Sequence, residues 1–115
     1  MVTLKEIVKE LNLKVVSAAG NLDKEVSGGY ASDLLSDVIA NSKKGNVWIT
    51  LQTHQNIVAV AILKELVGII IVNGRKPEEE TLKKAEKENI STIVTKWSTF
   101  EIVGRLYELG VRGSI

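Results

Sequence analysis

The stretch VWITLQTHQNIVAVAILKELVGIIIV, residues 47–72, decides the fold. Val47 to Leu51 is a short apolar run of the kind that forms a buried strand. Gln55 to Leu66 follows as a helix that is apolar almost all round, and such a helix needs cover on more than one side. Val67 to Val72 is a near-continuous β-branched run, the composition of a central parallel strand buried on both faces. Strand, helix and strand in this order predict a right-handed βαβ unit.

The same rhythm continues towards the carboxyl end. Asn73 to Pro77 reads as a loop. Glu78 to Glu88 reads as a helix with its acids first and its lysines later, the order the helix dipole favours. Thr92 to Thr95 is a further strand. Ser98 caps a last helix to Leu109, with Glu101 completing a capping box and Gly110 as the C-cap. Towards the amino end, Thr3 and Glu6 form another capping box before a helix over Leu4 to Leu11. Short strands are expected at Lys14 to Ser17 and Glu25 to Ser27, the second broken by Gly28-Gly29. Ser32 is expected to cap a helix over Asp33 to Asn41. The pattern predicts one α/β domain over residues 1–115, with a small, mainly parallel sheet flanked by helices. Residues 1–2 and 111–115 are expected to fray.

The composition limits what this domain can do. Fifteen basic residues against fourteen acidic ones leave a net charge of +1. Both signs are interspersed, which argues against a nucleic-acid backbone footprint. No cysteine is present, so disulfides and thiolate metal sites are excluded. The longest apolar run, Ile57 to Leu63, is far shorter than a membrane span. The opening MVTLKEIVKEL alternates charged and apolar residues, unlike a signal peptide. No membrane association and a cytoplasmic location are the expectations.

Ligands of open α/β sheets bind outside the carboxyl ends of the strands. Each of the last three strands leads there into polar residues. Thr50 is followed by Gln52, Thr53, His54, Gln55 and Asn56. The second stretch is Asn73, Gly74, Arg75 and Lys76. The third is Thr95, Lys96, Trp97, Ser98 and Thr99. A helix starts after each stretch, so free backbone N–H groups are expected at the same edge. The first stretch holds more polar side chains than a helix cap requires and is taken as the centre of the site.

Several residues have a second reading. His54 is the lone histidine, with no neighbouring nucleophile or carboxylate, so it reads as a ligand contact and not as a general base. It has no partners for a metal site, and neither a metal nor a cofactor is expected. Gly28-Gly29 before a helix could cradle an anion, but it lacks the spacing of a nucleotide fingerprint. Asp33 and Asp37 lie four apart, as on a solvated helix face. Trp48 alternates with Val47 and Ile49 and reads as packing. Trp97 stands where it could cover a ligand.

Three segments resemble a known family. Val26 to Val38 resembles the opening segment of DRTGG domains. Val47 to Ala61 resembles their central segment and Ile93 to Glu101 their closing one. The resemblance implies an α/β fold like the amino-terminal domain of HPr kinase/phosphorylase, and a regulatory or assembly role without catalysis. This sequence lacks the literal Asp-Arg-Thr-Gly-Gly string; Asn73-Gly74-Arg75 occupies that loop. It also lacks the phosphate-binding loop of the HPr kinase catalytic domain. With no catalytic or CBS domain in these residues, the resemblance implies action in trans on a partner enzyme. The expected module is a homodimer sensing a small anionic metabolite or nucleotide. The alternative is a protein-interaction or assembly subunit.

Overall fold

The computed structural model describes residues 1–114 and has the strand–helix–strand unit at its centre. The elements are α1 (Leu4–Glu10), β1 (Lys14–Ser17), β2 (Gly28–Ala31), α2 (Leu35–Asn41), β3 (Asn46–Thr50), α3 (Asn56–Leu63), β4 (Gly68–Ile71), α4 (Glu79–Lys87), β5 (Ser91–Val94) and α5 (Thr99–Glu108). They form one five-stranded sheet in the order β1-β5-β4-β3-β2. The run β2 to β5 is parallel, and β1 closes one edge antiparallel to β5.

Successive side chains of a strand point to opposite faces, and each face here has its own core. Trp48, Ile69 and Ile71 pack with Val38 of α2, Ile57 and Val58 of α3 and Ala85 of α4. Val47, Ile49, Ile70 and Ile93 pack on the other face with Leu4 and Ile7 of α1 and Ile102 and Leu106 of α5. The chain steps across β2, β3, β4 and β5 in one direction. Right-handed crossovers therefore put all three connecting helices on one face, and α1 and α5 cover the other. Trp48 is fully buried, and its Nε1 donates to the Ser32 carbonyl at 2.9 Å. Truncating such a side chain typically costs about 3–5 kcal/mol.

The structure corrects the reading around Gly28. The strand does not end at Ser27; Gly28 to Ala31 pair with Asn46 to Ile49, while Glu25 makes only an isolated bridge to Thr3. Close approach of backbone is the reason for the glycine. A Cβ on Gly28 would stand 2.6 Å from the Arg112 carbonyl oxygen, and the Gly29 N–H donates to that oxygen at 3.0 Å. The same contact orders the tail that was expected to fray, and Val111 is buried. At the other end, Val2 accepts from the Val26 N–H and packs against the core. Ile115 lies outside the described residues.

Three local readings also change. Ser32 does not cap α2; its hydroxyl accepts from the Leu34 N–H, and the helix starts at Leu35 with no side-chain cap. Asp33 therefore lies outside the helix, not on one face with Asp37. Its carboxylate accepts from the Thr50 hydroxyl at 3.0 Å and the Leu51 N–H at 2.7 Å, tying down the end of β3. Thr3 and Glu6 form a complete capping box, but at α5 only half forms. Ser98 accepts from the Glu101 N–H, while the Glu101 carboxylate turns to Arg105 at 3.4 Å. Among the described residues no helix is long and apolar enough to cross a membrane.

Candidate functional site

A cleft opens in an α/β sheet where two adjacent strands send their connections to opposite faces. Here β4 leads to α4 on one face and β5 leads to α5 on the other. A cleft of about 640 Å³ lies against the loops after these two strands. That volume is within the range of sites that bury a drug-sized ligand.

Backbone hydrogen bonds stitch the two loops together. The Asn73 N–H donates to Trp97 O and the Gly74 N–H to Thr95 O, both at 2.9 Å. Asn73 and Gly74 adopt the left-handed conformation, with φ of 61° and 67°. Asparagine and glycine tolerate that region best. The turn it makes leads the chain into Arg75, Lys76 and Pro77 along the cleft. Thr95, Lys96 and Trp97 line the cleft next to them. The Trp97 ring packs beneath Arg105, whose guanidinium lies 4.1 Å from the ring centroid.

A further wall comes from a strand that the sequence reading expected but did not assign to the site. β1 runs antiparallel to β5, with Lys14 opposite Val94 and a bulge between Val15 and Ser17. Its start therefore lies beside the end of β5, and Lys14 and Val16 join Val94 and Leu82 in lining the cleft. Four cations result: Lys14, Arg75, Lys76 and Lys96, with no aspartate or glutamate among the lining residues. Among the described residues the ion pairs involve Lys44, Lys83 and Arg105, so none engages these four. Exposed like charges gathered without acids make a local positive potential that attracts anions.

The first polar stretch reaches the same end of the sheet but does not line this cleft. Gln52 Nε2 donates to the Asp33 carbonyl at 2.8 Å. The Thr53 carbonyl accepts from the Glu78 N–H at 3.1 Å and from the Thr81 hydroxyl at 2.7 Å. His54 is exposed, and its Nδ1 accepts from the Asn56 N–H at 3.0 Å at the start of α3. The Gln55 carbonyl accepts from the Val58 N–H. These residues tie the end of β3 to the segment before α2, to α3 and to α4. Ser98 caps α5, and Thr99 is its first residue. Helix N–H groups expected to be free are thus partly taken by His54 and Ser98.

Gly28 and Gly29 lie on β2, the opposite edge of the sheet, and do not meet the other candidates. A smaller groove of about 160 Å³ runs there between Gly29, Tyr30, Val103 and Tyr107. Beside it, the Tyr30 hydroxyl and Asn41 Nδ2 both donate to the Asp37 carboxylate at 2.8 Å. The Ser32 hydroxyl first, then Asn41 and Tyr30, hold the Asp37 carboxyl below its usual range. The bond to Asp37, then burial, raises the Tyr30 phenol. Among the described residues no group of three or more His, Cys, Asp or Glu is placed to hold a metal ion.

Comparison with protein families matches residues 6–109 to the DRTGG domain. No curated protein matches the chain. Among solved structures it is similar to the CBS and DRTGG domains of the regulatory region of a Clostridium perfringens pyrophosphatase, complexed with the activator diadenosine tetraphosphate. The two share 18% identity with a TM-score of 0.67, over 89% of this chain and 44% of that one. The likeness is one of fold, and this chain spans less than half of that structure's length.

Proposed function

This chain belongs to the DRTGG domain family, and on that basis we propose that it is a non-catalytic regulatory module. Its ligand is a small anionic metabolite or nucleotide, bound in the cleft beside the loops after β4 and β5, and its output passes in trans to a partner enzyme. The observation that carries this reading is the set of four cations around one cleft with no acid among them. No histidine, carboxylate or cysteine lines the cleft, so its lysines and Thr95 have no such partner in the lining to act as general base or to activate a nucleophile, which favours binding over turnover. The pyrophosphatase regulatory region with its nucleotide activator is a precedent for a domain of this fold in regulation.

Thermal-shift and calorimetric titrations against nucleotides, acyl phosphates and inorganic polyphosphates test it. At least one phosphate-bearing anion should stabilise the protein. The Arg75→Glu/Lys96→Glu double variant should lose that response while keeping its fold by circular dichroism. A panel with no binder, or a double variant that binds as well as the parent, would sink the reading.

One observation favours assembly as a second reading. Phe100, Val103 and Tyr107 lie at helical spacing on α5, with Phe100 91% exposed and the other two also exposed. A stripe of this kind suits contact with another protein surface, a second copy of the chain included. Light scattering of the parent and of Phe100→Ser tests it; a monomer at every concentration counts against self-assembly.

A further inference from the structure

We infer that the cleft is built for a nucleoside polyphosphate, with the phosphates at its cationic rim and the base on the apolar face of β1 and β5. This rests on the reading of the cleft as an anion site and names the ligand class within it. Charge number is the first argument. Four cations and no acid line the cleft. Their mutual repulsion is relieved best by a polyanion, and a single carboxylate would leave most of it in place.

Placement is the second argument. Arg75 and Lys76 follow β4, Lys96 follows β5, and Lys14 starts β1 opposite Val94, the last residue of β5. All four charges therefore belong to one end of the sheet. Inward from them the lining turns apolar, with Val16, Leu82 and Val94 half-buried. A bare phosphate would neutralise the rim and leave this floor against water. A ligand with a flat apolar body covers the floor as well, and the cleft volume of about 640 Å³ has room for one.

The wall chemistry separates a base from an acyl chain. Asn12 and Thr95 stand in the lining and offer the donors and acceptors that a base edge requires. Thr95 Oγ1 accepts from the Trp97 N–H at 3.2 Å, which leaves its O–H to donate, and an acyl chain would use neither that donor nor the Asn12 amide. Trp97 adds an aromatic surface in the same wall.

Calorimetric titration of the purified protein with ATP, GTP and inorganic triphosphate, in EDTA at low salt, tests the inference. One of the nucleotides should bind about tenfold or more tighter than inorganic triphosphate, since apolar burial adds to the same charge contacts. Val16→Ser should weaken nucleotide binding about threefold or more and leave inorganic triphosphate unchanged. Leu82→Ser is the second floor variant, should Val16→Ser fail to fold. Lys96→Ala should weaken all three anions. Triphosphate binding as tightly as both nucleotides, or floor variants that weaken all three alike, would overturn the inference and leave the anion site standing. Binding of none of them overturns the nucleotide inference and counts against the anion-site reading too.

Discussion

Lys14 stands directly across from Val94 in the antiparallel pair of β1 with β5. That register places a cation from the start of the second element of the chain beside the end of its last strand. There it faces the same cleft as Arg75, Lys76 and Lys96, although some sixty residues separate it from the nearest of them in sequence. A charged hydrogen bond is worth roughly 1.5–3 kcal/mol. Lys14→Ala should therefore weaken phosphate-anion binding about tenfold or more, with a shallower dependence on salt. Lys5→Ala, an exposed change on α1, should leave the titration unchanged.

His54 is expected to matter for stability and not for the cleft. Its Nδ1 accepts the first N–H of α3, and loss of such a cap typically costs about 1 kcal/mol. Denaturant unfolding of His54→Ala should show that loss, while its anion affinity equals that of the parent. A fall in affinity without a fall in stability would return His54 to the ligand site.

Thr81 is fully buried, and its hydroxyl donates to the Thr53 carbonyl at 2.7 Å. The bond fastens α4 to the loop after β3. Thr81→Val keeps the shape and removes the donor, which should destabilise the domain by about 1–2 kcal/mol. The urea midpoint should fall with an unchanged slope.

Gly28 has no room for a side chain beside Arg112. Gly28→Ala should destabilise by about 1–3 kcal/mol, as overpacking does. In a chain ending at Gly110 the obstructing carbonyl is gone, and the added cost of Gly28→Ala should shrink. Equal costs in the long and short chains would mean that the tail contact is not the cause.

Acid stability should report on Asp37. Its folded carboxyl lies below the usual range because Ser32, Asn41 and Tyr30 donate to it. A depressed carboxylate contributes stability that is present above its unfolded value of about 3.9 and is lost as pH falls through the folded value. Asp37→Asn should therefore be less stable than the parent near neutrality. The gap between the two urea midpoints should close below about pH 4. A gap that stays constant down to pH 2 would remove Asp37 from the acid limb.

Periodicity made the central elements legible. The β-branched run through Ile69 to Val72 and the apolar helix before it each need burial on more than one side, and a parallel layered sheet supplies that burial. The loops after β3, β4 and β5 followed at once, because parallel strands send their carboxyl ends to one edge. The strand at Gly28 was hidden because glycine more often ends strands than fills them. Its reason is the Arg112 backbone, more than eighty residues away in the chain.

The sequence by itself determined the layer architecture, the direction of the parallel strands and the polar ends of three of them. These depend on side-chain pattern within short windows, where local periodicity is the physical signal. Only the tertiary structure decided which polar residues share a cleft. The antiparallel register of β1 brings Lys14 and Val16 up to the two loops after β4 and β5, which backbone hydrogen bonds hold together. In the same way Asp33, Asn56 and Thr81 turn Gln52 to His54 into ties between elements. Such roles depend on distances between segments remote in sequence, and no local pattern records them.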